Sequence, residues 1–230
     1  MRSGDAAGIA LLASALLNAP GPPSWAEGPP HETGPFRAAD LVEIVRLDPG
    51  LRLDIRYATS NNFLGRPVYA EGRAFLERPA AEALMRADAA LRPKGYGLLI
   101  FDAYRPWAVT KLFWESVTPE KRAFVADPAK GSKHNRGCAV DLSLWALATG
   151  REVEMPSAYD EMSERAHPDY AGGTAPSREA RDLLRAAMEA EGFTVEPNEW
   201  WHFNYKDWQH YPILDIPFGA IGGPARSPAR

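Results

Sequence analysis

The 230-residue chain has a single cysteine, Cys138, so it cannot form an intrachain disulfide. A chain without disulfides suits both a reducing and an oxidising compartment, and cysteine usage therefore does not separate cytosol from periplasm. Cys138 lies between Gly137 and Ala139, in the context of a small residue entering a buried strand. Because free cysteine is often buried, we predict that Cys138 packs in the core rather than acting as a nucleophile or a metal ligand.

The chain also lacks a large excess of either charge. Its 26 Lys and Arg residues against 30 Asp and Glu residues give a formal net charge of −4. Binding to nucleic acid needs a basic surface, so we expect no nucleic-acid partner. A hydrophobic content of 45% and a charged content of 24% are typical of a soluble globular protein, and the length fits one domain.

No apolar run is long enough to cross a membrane, which takes about 20 residues. The apolar residues 8–17 follow Arg2 and precede Ser24-Trp25-Ala26. A basic start, a short apolar segment and small residues before a cleavage point are the order found in signal peptides. We therefore predict a signal peptide over residues 1–26 and an exported, periplasmic protein. The alternative is a disordered Ala-rich extension on a cytoplasmic protein.

Hydrophobic spacing divides the rest of the chain into strands and helices of unequal length. After a flexible linker over 27–39, the spacing predicts half-buried strands over 40–57, helices over 73–91, 106–117 and 177–191 (with Ser177 as N-cap), and strands over 96–101, 137–144 and 201–205. These elements do not alternate regularly as βαβ units. We therefore predict a single α+β domain over 40–211, with a mainly antiparallel sheet and flanking helices. The C-terminal tail over 212–230 is rich in Pro and Gly and is expected to lie on the surface or to be loose.

A histidine and an aspartate lie seven residues apart in segment 132–141 (SKHNRGCAVD). Asp141 would sit within an apolar strand, where an unpaired carboxylate is costly to bury. It therefore needs a metal ion or another cation nearby. A salt bridge to an arginine is the alternative.

A second histidine follows a carboxylate in segment 196–203 (EPNEWWHF). Residues three apart on a strand face opposite ways, but Pro197-Asn198 predicts a turn that lets Glu199 lie beside His202. A hydrogen-bonded core histidine is the alternative.

Together, His134, Asp141 and His202 supply three N/O ligands and leave a fourth position open, which is the pattern of catalytic zinc. Glu199 would then serve as the base that activates water.

A third segment, 101–106 (FDAYRP), places Arg105 at the end of a buried strand, just before a helix. A cation there could stabilise the oxyanion that forms when water attacks a carbonyl. Asp102 could hold the guanidinium in a bidentate pair. The alternative is a structural Asp–Arg pair at a strand–helix joint.

These motifs resemble a known family. The patterns Ser132-x-His134-x2-Gly137-x-Ala139-x-Asp141 and Glu199-x-x-His202 are similar to those of the zinc peptidases that include D,D-carboxypeptidases and VanX-type dipeptidases. Three further segments, 56–65 (RYATSNNFLG), 101–106 and 160–167 (DEMSERAH), resemble D-alanyl-D-alanine dipeptidases in the same order and at similar distances. The resemblance covers roughly residues 40–211.

The resemblance implies a zinc D,D-peptidase fold of the hedgehog-like type, with one Zn²⁺ ion per chain. It implies that His134, Asp141 and His202 bind this ion. In the same way, Glu199 would be the catalytic acid/base, and Arg105 would assist the transition state.

The resemblance further implies a small-molecule substrate, D-Ala-D-Ala, that is cleaved to two D-alanines. Ser132 would bind its carboxylate, Asp160 its ammonium, and Tyr57 would line the same pocket. A longer peptide would leave Asp160 buried and unpaired, which restricts the enzyme to dipeptides. The alternatives are a zinc D,D-carboxypeptidase acting on peptidoglycan stem peptides and a non-catalytic binding module that contains zinc. The sequence leaves the oligomeric state undefined.

Overall fold

The computed structural model describes residues 28–222. The predicted signal peptide over 1–26 lies outside these residues. Within the described part, no helix is both long enough and apolar enough to cross a membrane. The described helices and strands follow one another in this order: β1 (Leu41–Glu43), α1 (Ile44–Leu47), β2 (Arg52–Leu53), β3 (Phe75–Glu77), α2 (Arg78–Leu91), β4 (Tyr96–Asp102), α3 (Trp107–Ser116), β5 (Ala139–Ala146), α4 (Ala175–Ala190), β6 (Phe193–Glu196) and β7 (Glu199–Tyr205).

A five-stranded sheet in the order β2-β4-β5-β7-β6 forms the centre of the fold. Strands β2 and β4 are parallel, and the other three pairs are antiparallel. A separate antiparallel pair, β1-β3, lies beside the start of α2. The prediction of a single α+β domain with a mainly antiparallel sheet is therefore confirmed.

One face of the sheet is apolar and packs against helices. Val140, Leu142 and Leu144 alternate along β5 with Asp141 and Ser143, as the strand period of two requires. Helices α2 and α4 contact each other and the sheet, and their buried leucines join the strand residues in one hydrophobic core. Cys138 is fully buried in the same core, which confirms its predicted packing. The opposite face of β5 is therefore left for polar side chains.

Two helix starts differ from the prediction. Helix α2 begins at Arg78 rather than residue 73, because Phe75–Glu77 pairs with β1 instead. Helix α4 begins at Ala175, and its N-cap is Thr174, whose side chain accepts a hydrogen bond from Ser177 N. Ser177 was therefore wrongly predicted as the N-cap. A proline near each true start accounts for the difference, since proline fits the first turn of a helix and not its interior.

The segments on either side of the predicted domain pack against it. Glu32 accepts hydrogen bonds from the Arg136 guanidinium and from Ile213 N. Residues 212–222 of the predicted tail lie on the surface of the domain and are attached to it, because Leu214 N donates to Asn135 O and the side chains of Phe218 and Ile221 are buried.

Gly137 joins the histidine-containing loop to β5. Its φ of +64° lies in the left-handed region, which residues with a Cβ rarely adopt. A Cβ at this position would also lie 2.4 Å from Leu41 Cδ2 and 3.2 Å from Glu77 N. Glycine is therefore required for the sharp turn that brings His134 over the sheet.

Glu77 gives the fold a pH-dependent stability. One carboxylate oxygen accepts from Asp40 N at 2.7 Å, while the other is buried and has no hydrogen-bond partner among the described residues. Burial raises the pKa of Glu77 to about 7, and the charge of the nearby Asp40 carboxylate acts in the same direction; Cys138 and Tyr211 are titratable groups that also lie close to it. A carboxyl with a raised pKa costs stability as the pH rises from about 4.5 to about 7.

Replacing Glu77 by glutamine removes this ionisation, while the side-chain oxygen can still accept from Asp40 N. Relative to wild type, we expect the unfolding free energy of Glu77→Gln to increase by on the order of 2 kcal/mol between pH 5 and pH 8. Urea unfolding at the two pH values measures this difference. If the unfolding free energies of variant and wild type differed by the same amount at pH 5 and pH 8, the raised pKa assigned to Glu77 would be wrong.

Candidate active site

Three polar side chains lie side by side across the centre of the sheet. Asp141 of β5 is directly opposite Asp102 of β4 on one side and His202 of β7 on the other. Directly opposite residues of an antiparallel pair point to the same face. Strand register therefore brings together residues that are up to 100 positions apart in sequence, on the face away from α2 and α4.

His134 joins this row from the loop before β5. It lies in a 3₁₀ turn, His134–Arg136, that ends at Gly137. Its ring Nδ1 is 2.6 Å from Ala103 O. A carbonyl oxygen can only accept, so Nδ1 carries the proton and Nε2 has a free lone pair. This lone pair points at Asp141 and His202.

Three potential ligand atoms converge at this point. His134 Nε2, Asp141 Oδ1 and His202 Nδ1 are 3.1–3.2 Å from one another. His202 Nε2 lies 2.8 Å from Asn204 Oδ1, and donation there leaves Nδ1 as a lone pair too. Two lone pairs and a carboxylate oxygen then face each other with no proton between them, which is an arrangement that calls for a cation.

The geometry fits a zinc ion. Ligands at about 2.0–2.1 Å from a tetrahedral zinc lie about 3.3–3.4 Å apart, close to the separations seen here. The second ring nitrogen of each histidine is held by a protein acceptor, as is usual for metal-binding histidines. Asp141 is buried and faces His134 Nε2 and His202 Nδ1, so a bound cation would stabilise the charged form of its carboxylate.

Glu199 lies beside these atoms without being one of them. Its Oε2 is 3.5 Å from His202 Nδ1. Glu199 is the first residue of β7, and the pairing of β6 with β7 is irregular between Val195 and Glu196. The predicted bend is present, and it frees Glu199 from the alternation that would turn it away from His202. Burial raises the pKa of Glu199 to about 8.

Arg105 is held against the row by Asp102. Its Nε and Nη2 both donate to Asp102 Oδ2, at 2.9 and 2.8 Å. The pair uses one carboxylate oxygen rather than the two expected of a bidentate pair, because Asp102 Oδ1 already accepts from Tyr69 Oη and from Ala103 N. Arg105 Nη2 also lies 3.5 Å from Asp141 Oδ2. The guanidinium is therefore fixed next to the candidate metal position.

A cleft that is partly open to solvent lies above the row. Most of the residues predicted for the site line it: Tyr57, Arg105, Ser132, His134, Asp141, Asp160, Glu199 and His202. Asp102 is not in the lining and lies beneath Arg105. The apolar part of the wall comes from Phe63, Phe113, Met162 and Trp201, among others.

Asp160 stands out in this cleft because its backbone is unusual. Its φ of +60° is the one positive value outside glycine in the described chain. The groups that hydrogen-bond to its carboxylate are neutral: Tyr57 Oη at 2.9 Å and Phe63 N at 3.4 Å. Burial raises the pKa of Asp160 to about 7. A partly buried carboxylate held by neutral donors is well suited to receive a positively charged ligand group.

Ser132 lies on the loop that carries His134. Its Oγ accepts from His134 N at 3.2 Å, and its backbone N–H donates to Asn135 Oδ1. The hydroxyl proton remains available to a ligand in the cleft. Tyr57 is almost fully buried and acts on the cleft mainly through its hydrogen bond to Asp160.

Comparison with known families agrees with this geometry. Residues 37–215 match the peptidase M15 family model described as D-ala-D-ala dipeptidase. The chain belongs to this dipeptidase family. The match confirms the resemblance seen in the sequence motifs and extends slightly beyond both ends of the predicted domain.

Curated relatives of the dipeptidase family align over most of their length. The D-alanyl-D-alanine dipeptidase of Escherichia coli (strain K12) is 32% identical over 185 residues, which cover 80% of this chain and 94% of that protein. The protein of the same name from Enterococcus faecium is 37% identical over 200 residues, covering 77% of this chain and 96% of that protein. Both alignments span nearly the whole of the relative.

Two residues near the dipeptidase site were not predicted from the sequence. Tyr159 Oη donates to Asp141 Oδ2 at 3.0 Å, and Asn204 contacts His202 as described above. Tyr159 directly precedes Asp160, and Asn204 lies two residues after His202. Polar residues next to predicted site residues are a usable signal, but a single sequence does not show which of them turn towards the site.

Proposed function

We propose that this chain is a zinc-dependent D-alanyl-D-alanine dipeptidase that hydrolyses D-Ala-D-Ala to two D-alanines. The observation that carries the proposal is the convergence of His134 Nε2, Asp141 Oδ1 and His202 Nδ1 within 3.2 Å of one another. A non-ligand carboxylate, Glu199, lies beside them. The curated relatives that bear this name support the choice of substrate.

The three converging atoms would hold one zinc ion per chain. When bound, zinc supplies Lewis-acid chemistry by polarising the substrate carbonyl and the attacking water. Two neutral imidazoles and one carboxylate leave a coordination position open, as catalytic zinc sites do. His134, Asp141 and His202 form the one cluster with ligand geometry among residues 28–222.

Glu199 acts as the general base and then as the general acid. It takes a proton from the attacking water and delivers that proton to the amine that leaves when the peptide bond breaks. Its position beside the ligands, rather than among them, leaves both carboxylate oxygens available for this transfer.

Arg105 stabilises the negative charge that develops on the carbonyl oxygen. A fixed cation is effective here because it needs no reorganisation when the charge appears. Asp102 provides this fixation through its two hydrogen bonds from the guanidinium. Because both partners are buried, the pair keeps one orientation.

The two charged ends of the substrate would be bound separately. Asp160 meets the ammonium group, and Tyr57 holds the Asp160 carboxylate in place by donating to it. Ser132 donates to the substrate carboxylate from the loop that carries His134. The apolar wall receives the two methyl groups. A peptide extended at its N-terminus has an amide in place of the ammonium and would leave Asp160 without a cation.

We also propose that residues 1–26 direct export, so that the mature enzyme acts in the periplasm. The support is the order of basic, apolar and small residues at the start of the chain.

The proposal is tested with a panel of peptides on the zinc-loaded protein. We expect kcat/KM for D-Ala-D-Ala to exceed that for N-acetyl-D-Ala-D-Ala by at least about 100-fold, because only the free dipeptide satisfies Asp160. Faster cleavage of the acetylated compound would identify a D,D-carboxypeptidase instead. A protein that binds zinc and cleaves neither compound would be a binding module.

A further inference from the structure

A chain of hydrogen bonds runs from His202 away from the candidate metal position. His202 Nε2 lies 2.8 Å from Asn204 Oδ1, and Asn204 Nδ2 donates to Glu196 Oε2 at 2.7 Å. Lys133 Nζ donates to the same Glu196 oxygen at 3.1 Å. Lys133 is the residue before His134, so the chain leads from one histidine back to the loop that carries the other.

Each link of this chain determines the orientation of the next. A carboxylate only accepts hydrogen bonds, so Glu196 requires the NH₂ group of Asn204 to face it. The amide oxygen of Asn204 then faces His202, which makes Nε2 the protonated nitrogen of that ring. The lone pair is left on Nδ1, the atom that faces His134 and Asp141. The reverse orientation of Asn204 would place a proton on Nδ1 and block the metal position.

The hydrogen bond that sets the orientation of His202 is the most buried part of this hydrogen-bond chain. His202 and Asn204 are each 8% exposed, so water competes weakly for their hydrogen bond. The outer end is more open, since the side chains of Lys133 and Glu196 are each about one-third exposed. Glu196 lies two residues from Thr194, which is directly opposite Asn204, so its carboxylate is near enough to accept from the Asn204 amide.

We propose that Asn204 and Glu196 are positioning residues that fix the tautomer of His202 so that Nδ1 is free to bind zinc. The inference rests on the proposed zinc site but not on which peptide the enzyme cleaves. The outer partners of metal-binding histidines commonly change metal affinity by about 10–100-fold, and this chain assigns that role to two particular residues.

Zinc affinity, measured by chelator competition, tests the role of Asn204. We expect Asn204→Leu, which keeps the branching at Cγ but has no acceptor, to bind zinc about 10–100-fold more weakly than wild type. Thr194→Val is the matched control, because Thr194 lies directly opposite Asn204 on β6 and is exposed; its zinc affinity should be unchanged. A Kd for Asn204→Leu within twofold of wild type would overturn the proposal.

A second variant tests whether zinc affinity depends on the hydrogen-bond acceptor at position 204 or falls with any change at that position. In Asn204→Asp/Glu196→Gln the carboxylate and the amide exchange places, so position 204 still accepts from His202 and position 196 donates to position 204. The total charge is that of wild type. We expect zinc affinity to return to within about threefold of wild type. Affinity as weak as that of Asn204→Leu would show that an acceptor at position 204 is not what matters.

Two further measurements keep the conclusions separate. The melting temperatures of the zinc-free proteins show whether each variant is folded before its affinity is compared. Hydrolysis of D-Ala-D-Ala by the zinc-loaded wild type is measured in parallel. If the wild type binds zinc tightly but cleaves no dipeptide, the proposed function fails while the positioning role of Asn204 can still be upheld by the affinities.

Discussion

Replacing Glu199 by glutamine should lower kcat for D-Ala-D-Ala by about 10²–10⁴-fold, the usual contribution of a general acid–base group. Glutamine keeps the shape of the side chain but cannot take a proton from water or pass one to the leaving amine. The zinc content should not change, because the three converging ligand atoms belong to other residues. KM should change little, since Glu199 is not placed to bind either charged end of the substrate.

The matched control for this variant is Glu189→Gln. Glu189 lies at the end of α4, where it pairs with Arg185 and is remote from the cleft. Its kcat should equal that of wild type. Two outcomes would contradict the assignment of Glu199. If Glu199→Gln kept more than a tenth of the wild-type kcat, Glu199 would not be the base. If it lost its zinc, Glu199 would be a ligand.

The kinds of residue in the site could be predicted from the sequence, but not how the sheet assembles them. His134 and Asp141 are close in the chain and joined by a glycine turn, so their convergence follows from local structure. The alignment of Asp102, Asp141 and His202 depends on strand order and on a register shift between Ile100 and Asp102 in the pairing of β4 with β5. Register is a property of two distant segments, and neither segment reveals it alone.

The elements that were missed are short. Strand β3 has three residues and β6 has four, too few for a period of two to be distinguished from chance. Phe75–Glu77 instead continued the helical spacing of the residues after it. Long elements were predicted well, because β4, β5 and α2 bury enough apolar side chains to show their period.

The hydrogen bonds around the site are the least predictable part. Glu196 and Asn204 are neighbours across a strand pair, and Tyr159 contacts Asp141 although 18 positions separate them in the sequence. Glutamate, asparagine and tyrosine side chains face solvent in most proteins, so their residue types do not indicate these contacts. Only the packed structure shows that burial leaves them one set of partners.

Replacing Asp160 by asparagine should lower kcat/KM for D-Ala-D-Ala by about 10²–10³-fold and leave cleavage of N-acetyl-D-Ala-D-Ala almost unchanged. Removing one partner of a buried charge pair costs about 2–5 kcal/mol, and each 1.4 kcal/mol corresponds to about tenfold. The acetylated compound has no ammonium and gains nothing from the carboxylate. The preference for the free dipeptide should therefore largely disappear.

Asparagine is the informative replacement because of the backbone at this position. Asp160 has a φ of +60°, which asparagine tolerates better than alanine does, and the asparagine oxygen can still accept from Tyr57 Oη. The variant should therefore keep its melting temperature and its zinc. The matched control is Asp169→Asn, the same replacement at an exposed position nine residues later. It should leave the cleavage of both substrates unchanged. If Asp160→Asn slowed both substrates equally, Asp160 would support the cleft as a whole, and the restriction to free dipeptides would need another source.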